Sequence, residues 1–380
     1  MPIKSFNCLS YRGIYKYEVV EDLYQLLEVV NEQDYSVIFI DKIIASNYSD
    51  FVSSLKSKKI LIEVSSRTKS IEKLIEYLEI LSNLSLKRNS TLLVIGGATM
   101  QDIFATVSCI YFRGVNWNFI PTTLLAQGDS CIGSKTSLDG FGKKNQFGVF
   151  YPPSKVYVCS QFLKSLPKKE IYSGIGDILH YLLPYEESIQ VLKNLLTLHK
   201  KKIKDSLLSY CVEISAIAMK IKSELVKVDE FDVGPRKIFN FGHTFAHAIE
   251  KSSKSYVPHG IAVLCGLYIA LNLNTPNSIS SICNYQAYLI KELLEMAILD
   301  EKLNIDIQIS KLKNLLDADK KNAFPGKVRV ILPTLISKSL WIADDITPQY
   351  GLNYSDMNLN ECLDSFNCLT QITGINFYRV

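Results

Sequence analysis

The sequence predicts an N-terminal α/β domain followed by a mostly α-helical domain. Three observations carry this expectation. Short apolar runs of strand type alternate with helical stripes in the first part of the chain, and one such run leads straight into Gly96-Gly97. From Pro167 onward helical stripes dominate, and strand signals are nearly absent until Val328. At 380 residues the chain is long enough for two cores. The boundary is placed near residue 168, dividing the chain into 1–168 and 169–380.

In chain order, Tyr35-Ser36-Val37-Ile38-Phe39-Ile40 has the pattern of a buried strand and ends at Asp41. Lys59 to Val64 is a second strand. Ser70 to Leu84 is a helix with Ile71, Leu74, Ile75, Leu78 and Leu81 on one side. Thr91-Leu92-Leu93-Val94-Ile95 is a third strand; it is followed by Gly96-Gly97-Ala98-Thr99-Met100-Gln101-Asp102 and a helical stretch from Asp102 to Cys109. Strand, two glycines and helix is the arrangement with which α/β sheets cradle a diphosphate. The glycines admit the backbone, and the helix start offers N–H groups and partial positive charge. The same glycines also fit a simple tight turn. The segment from Tyr111 to Pro153 is rich in Gly, Ser, Thr, Asp, Lys and Asn. On a sheet scaffold such loops build sites, although a long loop with solvated lysines has the same composition.

The second domain is expected to contain helices over Glu170–Leu183, Ser188–Leu198, Leu207–Val226, Thr244–Ser252 and Gly260–Asn272. Val328 to Pro333 is expected as a short hairpin or loop, and the tail beyond Asp345 is polar and carries no clear element. His243 and His247 stand i, i+4 and so share a helix face. His259 follows in Val257-Pro258-His259-Gly260, and His180 stands i, i+3 from Asp177. Imidazoles plus a carboxylate commonly hold zinc or a similar divalent ion, with positions left open for water or substrate. The plain alternative is a set of separate packed or surface histidines. His199, beside Lys200-Lys201-Lys202, is expected to be a solvated surface residue.

Apolar residues make up 47% and charged residues 21% of the chain, an ordinary soluble composition. The net charge of +4 points to no nucleic-acid partner and suits an anionic substrate. Nine cysteines occur, with no CxxC pair, and are expected to be reduced core residues of a cytoplasmic protein. The N-terminus lacks the basic-then-apolar pattern of a signal peptide. Ile261 to Leu273, the most apolar run, is too short to span a bilayer, so no membrane partner is expected.

The block Arg113-Gly114, Pro121-Thr122-Thr123-Leu124-Leu125-Ala126-Gln127, Asp129-Ser130, Gly133, Lys135-Thr136 and Lys144-Asn145, followed by Asn240-Phe241-Gly242-His243-Thr244-Phe245 and His259-Gly260, resembles the 3-dehydroquinate synthase family of sugar-phosphate cyclases. The motifs occur in order, between residues 35 and 333. The resemblance implies a Rossmann-like NAD-binding domain, a helical metal-binding domain and an active site in the cleft. It implies transient oxidation of a sugar phosphate by bound NAD, phosphate loss, re-reduction by the same cofactor and aldol closure of a carbocycle. Asp177, His243 and His259 look like its metal ligands, for zinc or cobalt, and His247 like its acid–base histidine near the leaving phosphate. His180 faces the same reaction centre. Asp129, Lys135, Asn145, Lys222, Arg236 and Asn240 look like the polar ring around substrate, with Lys320, or its neighbour Lys321, as a further anion contact. Arg113 looks like an arginine lent to the partner's site in a homodimer. Asp41, Lys69, Gly96, Gly97, Asp102, Thr122, Thr123, Lys144 and Ser165 look like cofactor contacts.

The chain departs from the family's pattern near the chemistry. Asp177 stands where Glu is usual, and His180 where Lys is usual. The usual His-Gly-Glu is His259-Gly260-Ile261. The usual Gly-Gly-Gly-Val … Gly-Asp is Gly96-Gly97-Ala98-Thr99-Met100-Gln101-Asp102, and an acidic cofactor contact is Ser66. Lys222, Arg236 and Asn240, which would hold a carboxylated substrate, are all present and favour 3-dehydroquinate formation. Three alternatives stand beside it: a cyclase for another sugar phosphate, a metal-dependent polyol dehydrogenase of the same superfamily, and a non-catalytic homologue.

Overall fold

The computed structural model describes residues 3–65, 68–273, 277–318, 324–333 and 352–378. The chain divides into two compact units. One comprises residues up to Leu166 together with Cys211–Val233; the other comprises Pro167–Tyr210 and the residues from Gly234 onward. The first cut thus lies two residues before the expected boundary. The return of 211–233 to the first unit departs from the expected single division.

The first unit begins with strands β1 (Ser5–Ser10) and β2 (Gly13–Val20), an antiparallel hairpin. Then follow α1 (Leu23–Asn31), β3 (Val37–Asp41), α2 (Lys42–Asn47), α3 (Ser49–Ser54), β4 (Lys59–Ile62), α4 (Ile71–Ser82), β5 (Thr91–Gly96) and α5 (Ala98–Ile110). Next come β6 (Asn116–Pro121), the short antiparallel pair β7 (Leu138–Gly140) and β8 (Lys143–Phe147), and β9 (Lys155–Cys159). Among the described residues β1-β2-β9-β6-β5-β3-β4 form one sheet, parallel from β2 onward. The central strands are apolar without alternation because helices cover both faces. Ile38 and Ile40 of β3 pack with Leu26 and Val30 of α1 and with Phe51 and Val52 of α3. Phe39, between them, turns to the other face and stacks on Phe104 of α5 with centroids 4.2 Å apart. Side-chain caps start α1, α2 and α4 of this unit: Asp22 accepts from Gln25 N at 2.8 Å, Asp41 from Ile43 N at 2.9 Å, and Ser70 from Lys73 N at 3.3 Å.

The second unit contains α6 (Lys168–Leu182) and α7 (Ser188–Lys200). The division between units falls within α8 (Lys204–Val228). After it come α9 (His243–Ser252), α10 (His259–Asn272) and α11 (Asn277–Asp300). Every residue of α10 from Gly260 to Leu271 is buried, as its all-round apolar sequence requires. No described helix is long and apolar enough to cross a membrane. The chain ends with β10 (Ile305–Gln308), α12 (Ile309–Asp317), β11 (Lys327–Pro333), β12 (Leu352–Asn358), α13 (Leu359–Asp364) and β13 (Ile375–Tyr378).

Three expectations need correction here. Val328 to Pro333 belongs to a strand, β11, paired antiparallel with β12; Arg329 faces Asp356 in register and binds it through two nitrogens at 3.0 and 3.1 Å. The described part of the tail is folded: β13 pairs in parallel with β10, and Cys362, Phe366, Leu369, Ile372 and Ile375 are buried. His199 is not solvated. Its ring lies 3.1 Å from the Tyr172 hydroxyl and 3.2 Å from Asp300 Oδ2, and its side chain is only 22% exposed. All nine cysteines are free. Burial pushes the Cys8 thiol up to about 12 and the Cys159 thiol up to about 11.

Candidate active site

In the second unit three helices bring Asp177, His180, His243, His247 and His259 together. Their approach depends on glycine. A Cβ on Gly176 would strike the carbonyl of Gly260, and one on Gly260 would strike the carbonyl of Ser173, so α6 and α10 touch backbone to backbone. Ser173 Oγ accepts from Gly260 N at 2.9 Å across the same contact. These glycines adjoin Asp177 and His259 in sequence. On the other side of α10, a Cβ on Gly266 would strike Gly242 O. Gly242 itself has φ +76°, which starts α9 with His243 at its first position.

The resulting geometry is that of a cation site. Asp177 is 1% exposed and His180 2%. Asp177 Oδ1 lies 3.4 Å from His259 Nε2 and 3.8 Å from His243 Nε2. Nδ1 of His243 is 3.1 Å from the Phe241 carbonyl, and Nδ1 of His259 is 3.2 Å from Glu250 Oε1. Both partners only accept, so both Nδ1 atoms donate. In neutral rings the Nε2 lone pairs then face a buried carboxylate oxygen. Such an arrangement is repulsive until a proton or a metal ion lies between. Imidazole nitrogens fixed by an outer acceptor and converging on a carboxylate are the donor set that zinc or a similar ion takes, so the residues present fit a divalent metal. Glu250 escaped the sequence reading, although it stands i, i+7 from His243 on the same helix face. His247 lies with its ring centroid 5.7 Å from that of His243 and 5.9 Å from that of His259. Arg236, buried, and Asn240, half-buried, occupy the turn Pro235–Asn240 that leads into Gly242.

In the first unit, Asp41, Gly96, Gly97, Thr122, Thr123 and Ser165 lie at or after the C-terminal ends of adjacent parallel strands, where open α/β sheets bind ligands. Gly96 ends β5 and pairs with Pro121 of β6; its carbonyl accepts from Thr122 N at 2.9 Å. Helix α5 starts at Ala98, four residues before the expected Asp102, with Gly97 at its N-cap and no side-chain cap on its first N–H groups. A Cβ on Gly97 would lie 3.0 Å from Thr123 Cγ2. The sequence thus leaves uncapped N–H groups beside a backbone kept bare, which fits a diphosphate. Asp41 ends β3 and accepts from Ile43 N; burial raises its pKa against that hydrogen bond. Ser165 follows β9 in a short turn and accepts from the Tyr48 hydroxyl at 3.1 Å.

Two expected cofactor contacts pair with each other: Lys69 Nζ meets Asp102 Oδ2 at 2.6 Å. Burial raises the Asp102 pKa, while Lys69 and Ser137 oppose the rise. Lys69 also donates to Asn145 Oδ1 at 3.1 Å, and Ser137 Oγ donates to the same oxygen at 2.8 Å. Asn145 has φ +53°. Lys222 Nζ reaches both the carbonyl and Oδ1 of Asp129 at 2.7 Å, and Lys135 meets Asp232 at 2.9 Å. Ser137 and Asp232 were not singled out from the sequence, because single polar residues in a polar loop carry no spacing signal. Arg113 and Lys144 are exposed. Lys320, Lys321 and Ser66 lie outside the described residues.

The family pattern of the 3-dehydroquinate synthase N-terminal domain matches residues 59–173, and that of the 3-dehydroquinate synthase C-terminal domain matches residues 174–322. The chain belongs to the 3-dehydroquinate synthase family. A relative from Alkaliphilus metalliredigens (strain QYMF), a 3-dehydroquinate synthase, is 33% identical over 317 residues, which is 79% of this chain and 84% of that one. Among solved structures, 2-deoxy-scyllo-inosose synthase complexed with carbaglucose-6-phosphate, NAD+ and Co2+ superposes with a TM-score of 0.74 at 18% identity, covering 96% of this chain and 99% of that one. A 2-epi-5-epi-valiolone synthase from Streptomyces hygroscopicus subsp. jinggangensis 5008, with NAD+ and Zn2+ bound, gives 0.68 at 18% identity over 94% and 97% of the two chains. At such identities these structures establish only the fold, which this member of the 3-dehydroquinate synthase family shares with both synthases.

Proposed function

We propose that the chain is a metal- and NAD-dependent cyclase that converts 3-deoxy-arabino-heptulosonate 7-phosphate to 3-dehydroquinate and phosphate. The observation that carries the reading is the buried Asp177 carboxylate faced by His243 Nε2 and His259 Nε2, in a chain of this family. Asp177, His243 and His259 hold the divalent ion, zinc or cobalt. Gly96, Gly97, Thr122 and Thr123 admit the NAD diphosphate; Asp41 takes the adenosine ribose, and Lys69, Asp102, Lys144 and Ser165 complete the cofactor contacts. When bound, NAD supplies reversible hydride exchange and the ion supplies positive charge beside the reacting oxygens. Lys222, Arg236 and Asn240 bind the substrate carboxylate and hydroxyls, with charge-assisted hydrogen bonds from the two cations. Lys320 adds a further anion contact. His247 holds the proton that accompanies the leaving phosphate. Asp129, Lys135 and Asn145 orient the sugar, His180 faces the reaction centre, and Arg113 serves the partner's site in a homodimer.

The substitutions at Asp177 and His180 favour one second reading, a cyclase of the same type acting on another sugar phosphate. A phosphate-release screen with NAD and Zn2+ or Co2+ decides between them. Release from the heptulosonate phosphate without NADH build-up is the expected result. Release only from another sugar phosphate supports the second reading. Steady NADH accumulation indicates a polyol dehydrogenase, and no turnover with any of them leaves a non-catalytic homologue.

A further inference from the structure

We propose that His180 is a fourth protein ligand of the metal ion, so that this chain holds its ion with Asp177, His180, His243 and His259. The inference rests on the metal centre proposed above and adds a ligand to it.

Four observations converge. His180 follows Asp177 by three residues on α6, so both side chains leave the same helix face. The two are among the most deeply buried polar groups of the second unit. A ring nitrogen of His180, a carboxylate oxygen of Asp177 and a ring nitrogen of His243 all lie within 4.8 Å of one another. Two ligands about 2.1 Å from one ion, on opposite sides of it, would be about 4.2 Å apart. Small rotations of the side chains therefore bring these atoms onto a common ion. The His180 ring also stands edge-on to His243, with centroids 5.0 Å apart, so the two rings do not stack and exclude an ion between them.

The chemistry of the substitution agrees. An aspartate places its carboxylate nearer its own helix backbone than a glutamate would, and so draws the ion toward α6. One turn along that helix a lysine would place a permanent like charge beside the ion. A neutral imidazole in the same place donates a lone pair instead. The shorter acid and the imidazole are thus one change: the ion sits closer to α6, and α6 supplies two ligands rather than one. A carboxylate with three imidazoles is a donor set for zinc, cobalt or iron.

The test is cobalt binding by the intact chain, measured by chelator competition and by the visible spectrum of the bound ion. Parent, His180→Ala, His180→Lys and His243→Ala are compared, with circular dichroism confirming that each folds. The expected result is one tightly held Co2+ in the parent and affinity lower by about 10-fold or more in both His180 variants. The cobalt spectrum of His180→Ala should change and return toward that of the parent when free imidazole is added. If His180→Ala fails to fold, His180→Lys carries the same comparison. Equal affinity and an unchanged spectrum in a folded His180 variant, with binding lost in His243→Ala, would overturn this proposal and leave the three-residue centre standing. A parent that binds no divalent ion would overturn both.

Discussion

His199 shares the oxygen Asp300 Oδ2 with Tyr172 and with Lys168, whose ammonium lies 3.1 Å away. Burial lowers the His199 pKa from its ordinary value of about 6.5; Asp300 works against this and Lys168 with it. A base with a lowered folded pKa binds fewer protons folded than unfolded between its folded and its unfolded pKa. Its contribution to stability is present above about pH 6.5 and is lost as the pH falls through the folded pKa. Asp300 adds the same sign at lower pH. Burial raises its pKa, but Lys168, Tyr172 and His199 together bring it below the ordinary carboxylate value. Urea midpoints taken between pH 5 and pH 8 should therefore fall on acidification, and the fall should be shallower in His199→Gln. A slope that His199→Gln leaves unchanged would refute the assignment. Lys222→Met should cost about 1.5–3 kcal/mol by removing two charge-assisted hydrogen bonds to Asp129, read by chemical denaturation. The sequence hid the His199 environment because its chain neighbours are lysines, whereas Tyr172 and Asp300 come from other helices.

The proposed metal centre depends on how closely helices α6, α9 and α10 approach. Gly176→Ala would push a methyl group into the Gly260 carbonyl. It should destabilise the protein by about 1–3 kcal/mol or more and, by separating Asp177 from His259, lower metal affinity as well. Thermal unfolding with and without a chelator measures both effects. A variant with parental stability and metal affinity would show that the contact is dispensable. The helices themselves were legible: α6, α9 and α10 begin within two residues of their expected starts, because apolar periodicity and the HxxxH spacing are local patterns. The glycine contacts were not, since a backbone-to-backbone approach leaves no periodic signature. The strands β10 and β13 were missed for a related reason. Each has four residues, and Ile305 pairs with Ile375 only after a long excursion of the chain.

For the whole molecule, the proposed role of Arg113 in a partner's site predicts complementation. Arg113→Ala and His243→Ala, each inactive alone, should on mixing and subunit exchange recover roughly a quarter of parental activity, because half the dimers would carry one intact site of two. Phosphate-release assays on the mixture measure this, and no recovery despite proven exchange would place Arg113 in its own subunit's chemistry. Fold class was readable at this scale from alternating strands and the later helical stripes. The return of 211–233 was not, because a stripe on α8 shows that one face is buried but not which core receives it. Lys222 with Asp129, and Glu230 with both Ser134 Oγ at 2.5 Å and Tyr11 N at 2.7 Å, attach that segment to the first unit. This discontinuity imposes a schedule on the nascent chain. At roughly 5–20 residues per second, the ribosome finishes the seven-stranded sheet several seconds before it supplies the segment that completes the same unit. Until then the surfaces awaiting α8 stay exposed, and a fragment stopped at the end of the sheet would remain in that state until residues 211–233 were supplied in trans.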